Sequence, residues 1–375
     1  MAASPSVNFW QHRPFWMLSL AIFLGAYCYG ISAVSATWLP QDLGWTTRHL
    51  FWAPLGFVIG ILLGGISADG MGRVRLFRWT PLGYLVGTAI LLLLRNHLSA
   101  SAGSLLLIIA AGIDSTTALV LGQEVFPKPI RSIAFYVMLN FSNFGGLLLA
   151  ILALTLDLSP YRPAITLSIP FGLAIVSWYL RRDLEDRRRQ SFTNKSRIGP
   201  SLPFYRTMRF ALAVVFSYVN ASGFALATYA LGAVIYSHRF IQFLLFGTSG
   251  AFLAGLFSPI LARIPLKTLL VGSNVATLVM ATAIAWTASL HEILWIGLSI
   301  GTGIAFLAEN EFKTAAWASS IRGRATAWER VGGQTGYAIT LLITKGLSFR
   351  QFSWALVGVW CVGALAAIIW FALAS

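Results

Sequence analysis

The amino-acid sequence predicts an all-α membrane protein with twelve transmembrane helices. Three observations support this prediction: the composition, the number of long apolar segments, and the distribution of basic residues between them. Of the 375 residues, 57 % are hydrophobic and only 10 % are charged, and the mean hydropathy is +0.74. In soluble domains roughly a quarter of the residues are charged. The chain is therefore expected to fold in a lipid bilayer.

The apolar segments are long enough to cross a bilayer, because a hydrocarbon core of about 30 Å requires roughly 20 helical residues. In the first half they lie near residues 14–38, 48–68, 77–94, 101–123, 133–155 and 161–180. In the second half they lie near residues 208–235, 240–261, 267–288, 291–310, 325–346 and 352–374. This division predicts two six-helix bundles related by pseudo-two-fold symmetry. They comprise residues 1–185 and 206–375, joined by a cytoplasmic linker at 186–205.

The basic residues predict the orientation of these helices. Lys and Arg near helix ends are retained on the cytoplasmic side. With the N-terminus inside, all but six of the 27 Lys and Arg residues fall on that side, and the exceptions are Arg48, Arg95, Arg162, Arg239, Lys345 and Arg350. An omitted helix would reverse every later loop and remove this bias. We therefore expect a multi-pass protein of the cell membrane whose N- and C-termini are both cytoplasmic.

Charge and motifs argue against several other classes of protein. The net charge of +15 is divided among successive loops, without a nucleic-acid-binding motif. Cys28 and Cys361 lie in apolar segments and give neither a disulfide framework nor a metal-ligand spacing. The sequence has no HExxH motif and no Walker-type glycine loop. We expect no nucleic-acid partner, no metal, no cofactor and no enzymatic activity.

The loop between the second and third segments contains a motif that reads GISADGMGRVR, from Gly65 to Arg75. Gly65 permits close helix contact and Gly72 permits a tight turn. Asp69 can accept hydrogen bonds from a helix N-terminus or from an arginine. Together with Arg73, these residues are predicted to form a latch, a breakable contact between the two halves at the cytoplasmic end.

This motif resembles the signature loop of the major facilitator superfamily and departs from it at Gly70, where a basic residue is usual. The resemblance in topology covers the whole chain. It implies a secondary transporter with the major facilitator fold that works as a monomer by alternating access. Transporters of this kind bind their substrate near the middle of the bilayer, between the two halves. The latch would close the cytoplasmic end in one of the two states.

Two further segments resemble the pattern of an acid, a Phe and an Arg found in sugar porters and related organic-solute carriers. The first runs from Glu124 to Arg131 and the second from Glu311 to Arg322. The second copy lacks the proline and has a longer spacing. Each acid is predicted to pair with the Arg of its own segment, which would give two linked charge clusters at the cytoplasmic end.

Ionisable residues within apolar segments are costly and are usually functional. Asp114 lies near the middle of the fourth segment and Glu309 lies within the tenth. In the first segment, Tyr27 and Cys28 fall in a stretch that resembles an element of sugar porters, with Cys28 in the place of its proton-coupling acid. The resemblance makes Tyr27 a candidate for the substrate site. If transport is proton-driven, Asp114 is therefore predicted to face the central cavity and to take up a proton, with Glu309 as a second acceptor. The alternative for each is a structural acid hydrogen-bonded to a neighbouring helix.

Uncharged polar residues are candidates for the remainder of a substrate site. Asn140 and Asn143 are three residues apart and share one helix face. Asn220 lies near the middle of the seventh segment, and Gln334 and Tyr337 lie near the middle of the eleventh. The alternative for each is a hydrogen bond that joins two helices.

The sequence thus predicts a transporter of a small polar organic solute, of the sugar or organic-acid type, either facilitative or proton-coupled. Asn220, Ala221, Ser222 and Gly223 resemble part of a sugar-binding element, although the flanking amides are absent. One alternative is a proton-coupled efflux antiporter for drugs or metabolites, but the fifth segment lacks the proline of the antiporter motif. Another alternative is a non-transporting receptor on the same scaffold.

Overall fold

The computed structural model describes residues 12–35, 52–93, 97–156, 159, 161–182, 184, 203–231, 240–287, 292–344 and 346–373. Within these ranges the chain forms twelve long helices and no β-strand. The first six are α1 (Arg13–Ser35), α2 (Trp52–Ser67), α3 (Arg73–Leu93), α4 (His97–Val125), α5 (Arg131–Thr155) and α6 (Arg162–Arg181). The second six are α7 (Pro203–Ala225), α8 (Phe240–Leu256), α9 (Leu266–Thr287), α10 (Glu292–Ala315), α11 (Arg322–Ile343) and α12 (Phe349–Leu373).

Most ends of these helices lie within a few residues of the ends of the predicted apolar segments. Nine of the described helices are long and apolar enough to cross a membrane. The apolar parts of α2 and α8 are shorter, and α11 has several charged residues in its first half. Helix α7 begins at Pro203, inside the predicted linker, and the preceding residues 185–202 lie outside the described part of the chain.

The predicted turn after α2 depends on a glycine. A π-helical turn, Ala68–Gly72, connects α2 to α3. Gly72 has a φ of 99°, which lies in the left-handed region that residues with a Cβ adopt at a cost. This turn directs the Asp69 side chain toward the start of α11.

The helix contacts repeat between the two halves. In the first half, α1 packs on α4, α5 and α6, α2 and α3 both pack on α4, and α3 packs on α6. In the second half, α7 packs on α10, α11 and α12, α8 and α9 both pack on α10, and α9 packs on α12. The two sets correspond helix for helix, as the predicted pseudo-two-fold symmetry requires. Between the halves, α2 packs along α11 and α5 packs along α8.

Glycines allow the helices of different halves to approach closely. A Cβ on Gly65 of α2 would lie 2.8 Å from the carbonyl oxygen of Gly323 and would overlap the side chain of Ala327, both on α11. A Cβ on Gly255 of α8 would overlap the side chain of Asn140 on α5. Both crossings between the halves therefore depend on the absence of a side chain.

The apolar core differs between the two ends of the bundle. We call the end that has Asp69, Glu124 and Arg322 the latch end. There a single buried cluster includes Phe15 from the first half and Phe312 from the second. At the opposite end the core is divided into two clusters, one formed mainly by each half. The halves are thus packed together at the latch end and separate toward the other end.

Candidate central cavity and latch

A central cavity of about 270 Å³ lies between the two halves. Helices α1, α2, α4 and α5 line it on one side, and α7, α8, α10 and α11 line it on the other. These are symmetry-related sets, so the cavity lies on the pseudo-two-fold axis. Its apolar wall includes Phe57, Phe224 and Phe306, and its charged lining residues are Glu309, Lys313 and Arg330. An apolar wall with a few placed polar groups is typical of a small-molecule site.

The structure places five of the predicted binding residues in this cavity, namely Asn143, Asn220, Glu309, Gln334 and Tyr337. The Asn220 side-chain amide donates to the carbonyl oxygen of Thr302 at 3.2 Å. The Asn143 amide donates to the carbonyl oxygen of Ala251 at 3.0 Å. Both side chains therefore line the cavity and also join two helices. Each residue thus fits both the predicted place in a substrate site and the alternative of a hydrogen bond between helices.

Two other predicted binding residues contact neighbouring helices instead. The Tyr27 hydroxyl is fully buried and donates to the carbonyl oxygen of Thr166 on α6 at 3.0 Å. The Asn140 amide donates to the carbonyl oxygen of Phe252 on α8 at 3.2 Å. The expectation that these two residues line the cavity is wrong, because their donor groups are bonded to backbone carbonyls of packed helices, and Asn140 Oδ1 accepts a hydrogen bond from the Asn143 amide at 3.1 Å.

Asp114 does not face the cavity. Its Oδ1 and Oδ2 accept hydrogen bonds from the Arg181 guanidinium at 2.6 and 2.9 Å. Both side chains are fully buried. Arg181 also donates to the carbonyl oxygen of Phe77 at 2.9 Å and stacks on the Phe77 ring. The prediction that Asp114 takes up a proton from the cavity is therefore wrong for this structure, because an arginine at the end of α6 extends back into the bundle and holds both oxygens.

Three charged side chains, Glu309, Lys313 and Arg330, form what we call the charged cluster of the cavity. Lys313 Nζ lies 2.9 Å from Glu309 Oε1, one helical turn away on α10. Lys313 Nζ also lies 3.4 Å from Ser217 Oγ on α7. Arg330 donates to the hydroxyls of Thr116 at 2.6 Å and Ser115 at 3.1 Å, on α4 of the other half.

Lys313 and Arg330 were missed as candidates because they were counted among the cytoplasmic basic residues. Two signals in the sequence could have identified them. Lys313 is four residues after Glu309, the spacing at which side chains meet on one helix face. Arg330 lies inside the predicted eleventh segment and not at its end.

Asp69 lies at the N-terminus of α11, the position predicted from the motif. Its Oδ2 accepts a hydrogen bond from the backbone N–H of Arg324 at 2.9 Å. The Arg324 side chain lies 3.4 Å from the same oxygen, and Arg73 lies 2.9 Å from Oδ1. The carboxylate thus meets the positive end of a helix and two guanidinium groups, and it joins the two halves.

The second set of charged contacts also joins the two halves. Glu124 forms ion pairs with Arg73 and with Arg322 of α11, the latter at 3.1 Å. Glu311 accepts a hydrogen bond from the hydroxyl of Ser132 on α5 at 2.6 Å. The predicted pairs of Glu124 with Arg131 and of Glu311 with Arg322 are therefore wrong.

The arginine of each segment also makes a hydrogen bond within its own loop. Arg131 Nε donates to the carbonyl oxygen of Phe126, and Arg322 Nε donates to that of Trp317, both at 3.1 Å. Each arginine is thus held by a carbonyl five residues earlier in its own loop. The acid of the same segment is directed across the boundary between the halves.

No family model matches the sequence, and no curated protein matches it significantly. Solved structures do resemble it. The transporter FucP of the major facilitator superfamily, in its outward conformation, has a TM-score of 0.70 and covers 95 % of this chain and 98 % of its own. The proton:xylose symporter XylE bound to 6-bromo-6-deoxy-D-glucose has a TM-score of 0.73 and covers 95 % of this chain and 94 % of its own. Both are 13 % identical in sequence. At that identity the likeness establishes the fold, and the chain has the major facilitator fold.

Proposed function

We propose that the protein is a secondary transporter that moves a small polar organic solute across the membrane by alternating access. The observation that carries this proposal is a cavity on the symmetry axis, with an apolar wall and a few charged and polar groups, closed at one end by ion pairs between the halves. A fold alone does not define a function. The combination of an axial binding site and a breakable closure at one end is what alternating access requires.

The arrangement of the halves supports an outward-facing or occluded state. At the latch end, Asp69 and Glu124 both contact α11, and the apolar core is continuous. At the opposite end the core is divided into one cluster for each half, apart from Leu244 of α8, which packs with the first half. If the latch end is cytoplasmic, as the basic residues predict, the second state would separate Asp69 and Glu124 from α11 and open the cavity inward.

The size and charge of the cavity favour a small polar solute over drug efflux. Its volume of about 270 Å³ lies just below the roughly 300–1,000 Å³ of sites for drug-sized ligands. Lys313 and Arg330 in the lining would repel cationic drugs. We therefore retain efflux only as the second candidate, favoured by the aromatic wall of Phe57, Phe224 and Phe306.

The proposal includes proton coupling through Glu309. Glu309 is the one carboxyl group among the described lining residues. Its Oε1 is paired with Lys313, whereas its Oε2 is buried and has no hydrogen-bond partner in the described structure. A carboxyl group in this setting could bind a proton in one state and release it in the other. A uniporter would use the same residue only to hold Lys313.

The function is tested by measuring solute flux with the purified protein in liposomes. The panel contains neutral sugars, carboxylates, amino acids and cationic drugs, and each labelled solute is tested for exchange against an excess of the same unlabelled solute. We expect saturable exchange for one class of small polar solutes. Saturable binding without flux would contradict transport and indicate a receptor. Preferred exchange of the cationic drugs would favour the efflux alternative.

A further inference from the structure

We propose that the cavity selects a small hydroxylated organic anion and that Arg330 binds its carboxylate. This inference rests on the proposed function, because it names the substrate class of the same cavity. Three observations lead to it: the hydrogen-bond partners of Arg330, the charge balance of the lining, and the acceptor group one turn further along α11.

The partners of Arg330 are neutral. Its guanidinium donates to the hydroxyls of Ser115 and Thr116, and it lies 5.4 Å from the ring of Phe57. No carboxylate of the described residues forms an ion pair with it. Arginines removed from bulk water are usually paired with an anion. The guanidinium in this cavity therefore has its geometry fixed by hydroxyl groups while its charge is not neutralised by a direct contact.

Among the described lining residues of the cavity, the basic side chains outnumber the acidic ones by one. The described lining contains one acid and two bases, and Glu309 is engaged by Lys313 at 2.9 Å. Arg330 therefore has no carboxylate of its own in this lining. The buried acid Glu329 precedes it on α11, but Glu329 does not line the cavity, and its Oε1 accepts a hydrogen bond from Trp317 Nε1 at 2.9 Å. A bound monoanion would give Arg330 the direct counter-ion that a neutral sugar does not supply.

The geometry of Arg330 also suits a carboxylate. A guanidinium presents its N–H groups as a planar fork that can donate two parallel hydrogen bonds to a carboxylate. The two hydroxyl partners can be replaced by the two oxygens of such a ligand. Ser115 lines the cavity together with Arg330, so the carboxylate would lie between α4 and α11, in contact with both halves.

A hydroxyl group on the ligand is inferred from Gln334. This residue is one helical turn after Arg330, on the same face of α11. Its Oε1 is buried and has no hydrogen-bond partner in the described structure, and the side chain lines the cavity. An unsatisfied buried acceptor is costly, and a ligand hydroxyl could donate to it. Arg330 and Gln334 together therefore fit a carboxylate with a nearby hydroxyl group.

The inference is tested with pairs of solutes that differ mainly in one carboxylate. Suitable pairs are lactate with propane-1,2-diol, gluconate with sorbitol, and glucuronate with glucose. Binding to the purified full chain is measured by thermal shift and titration, and flux is measured in liposomes. We expect the acid of at least one pair to bind and to exchange, with its neutral partner at least about tenfold weaker. The wild-type comparison does not depend on the folding of any variant.

Variants then assign the carboxylate contact to one side chain. Arg330→Gln should weaken binding of the acid by about ten- to a hundredfold, because a hydrogen bond to a charged group contributes about 1.5–3 kcal/mol and 1.4 kcal/mol corresponds to tenfold. Arg330→Lys keeps the charge and should lose less. Arg350→Gln is the matched control, since it removes one positive charge from an exposed position on α12.

The outcomes separate this inference from the proposed function. If the neutral member of every pair binds as well as its acid, or no acid binds, the anion site is wrong, whereas exchange of a neutral solute still supports transport. If folded Arg330→Gln binds the acid like the wild type, Arg330 is only a structural link between α4 and α11. If acids bind through Arg330 but no solute exchanges, the anion site stands and transport is wrong.

Discussion

At the scale of single residues, two of the buried acids, Asp114 and Glu309, differ in how completely they are paired. Both oxygens of Asp114 are held by Arg181, so this carboxylate is fixed within the first half. Glu309 has one oxygen paired with Lys313 and one without a partner in the described structure. A fully paired acid serves to hold helices together, whereas a half-paired acid in a cavity has an oxygen available for a proton or a ligand.

Asp114→Asn is expected to destabilise the protein. The substitution leaves the Arg181 guanidinium buried without its counter-ion, and breaking such a pair typically costs about 3–5 kcal/mol. The measurement is the thermal midpoint and the yield of folded protein in detergent. Replacing both partners together, Asp114→Leu with Arg181→Met, should recover much of the loss. A stable Asp114→Asn protein that loses only pH-dependent transport would restore the proton role to Asp114.

Glu309→Gln is expected to abolish solute accumulation driven by a pH gradient and to spare exchange between two equal pools. The variant keeps the shape of the side chain, removes its titratable group, and leaves Lys313 and Arg330 without an acid among the described lining residues. Flux in liposomes with and without an imposed pH gradient measures the effect. Glu292→Gln, at an exposed position on the same helix, is the control. Wild-type flux that ignores the gradient would instead indicate a uniporter.

At the scale of helices, the contact between α2 and α11 is the element that must break in alternating access. It is formed by the close approach at Gly65 and by the charged contacts of Asp69. The close approach requires that residue 65 has no side chain, and the charged contacts require a carboxylate at residue 69. The two requirements can therefore be tested separately.

Asp69→Asn is expected to slow flux more than it weakens substrate binding. The amide keeps the size of the side chain but loses the charge that interacts with Arg73, Arg324 and the N-terminus of α11. The substitution changes the equilibrium between conformations and leaves the cavity unchanged. Exchange rates in liposomes and affinities in detergent measure the two effects. Equal exchange rates for wild type and variant would mean that the contact is static.

Gly65→Ala is expected to separate α2 from α11. The new methyl group would overlap Ala327 and approach Gly323, and overpacking of this kind typically costs about 1–3 kcal/mol. We expect a lower thermal midpoint and faster thiol labelling of a cysteine placed at the latch end. Gly172→Ala on α6 is the matched control, because no atom lies within 4 Å of the added Cβ. Equal effects of the two substitutions would contradict the importance of this approach.

At the scale of the whole molecule, the two halves form a continuous core at the latch end and separate cores at the other end. Alternating access requires this asymmetry to reverse. Contacts between the halves at the latch end, such as that of Ser132 with Glu311, should therefore exist in only one of the two states.

Linking α5 to α10 at the latch end is expected to stop transport and preserve binding from the opposite side. Ser132→Cys with Glu311→Cys places two thiols where the wild-type side chains are in contact. The background variant lacks the exposed Cys361, and a short thiol cross-linker forms the link. Flux is measured before linking, after linking, and after reduction. Full flux through a completely linked protein would contradict movement at this position.

Much of the fold and part of the site could be predicted from the sequence. The sequence predicts twelve segments, their division into two halves and the position of the Asp69 motif. It can do so because crossing a bilayer depends on the local length of apolar sequence and on the charge at helix ends. Cavity residues such as Asn220 and Gln334 were predicted from their depth in a segment. Depth alone did not distinguish them from Tyr27 and Asn140.

Local sequence specifies which segments enter the membrane and at what depth each polar residue lies. Which polar groups meet depends on how the helices pack. Asp114 meets Arg181 because α6 packs on α3 and its terminal arginine extends past Phe77 of α3 to reach α4. Glu124 meets Arg322 because the start of α11 lies against the first half at the latch end. These choices depend on the rotation of each helix about its axis and on the reach of long side chains across helix boundaries. Apolar periodicity specifies neither quantity in helices that are hydrophobic on nearly every face.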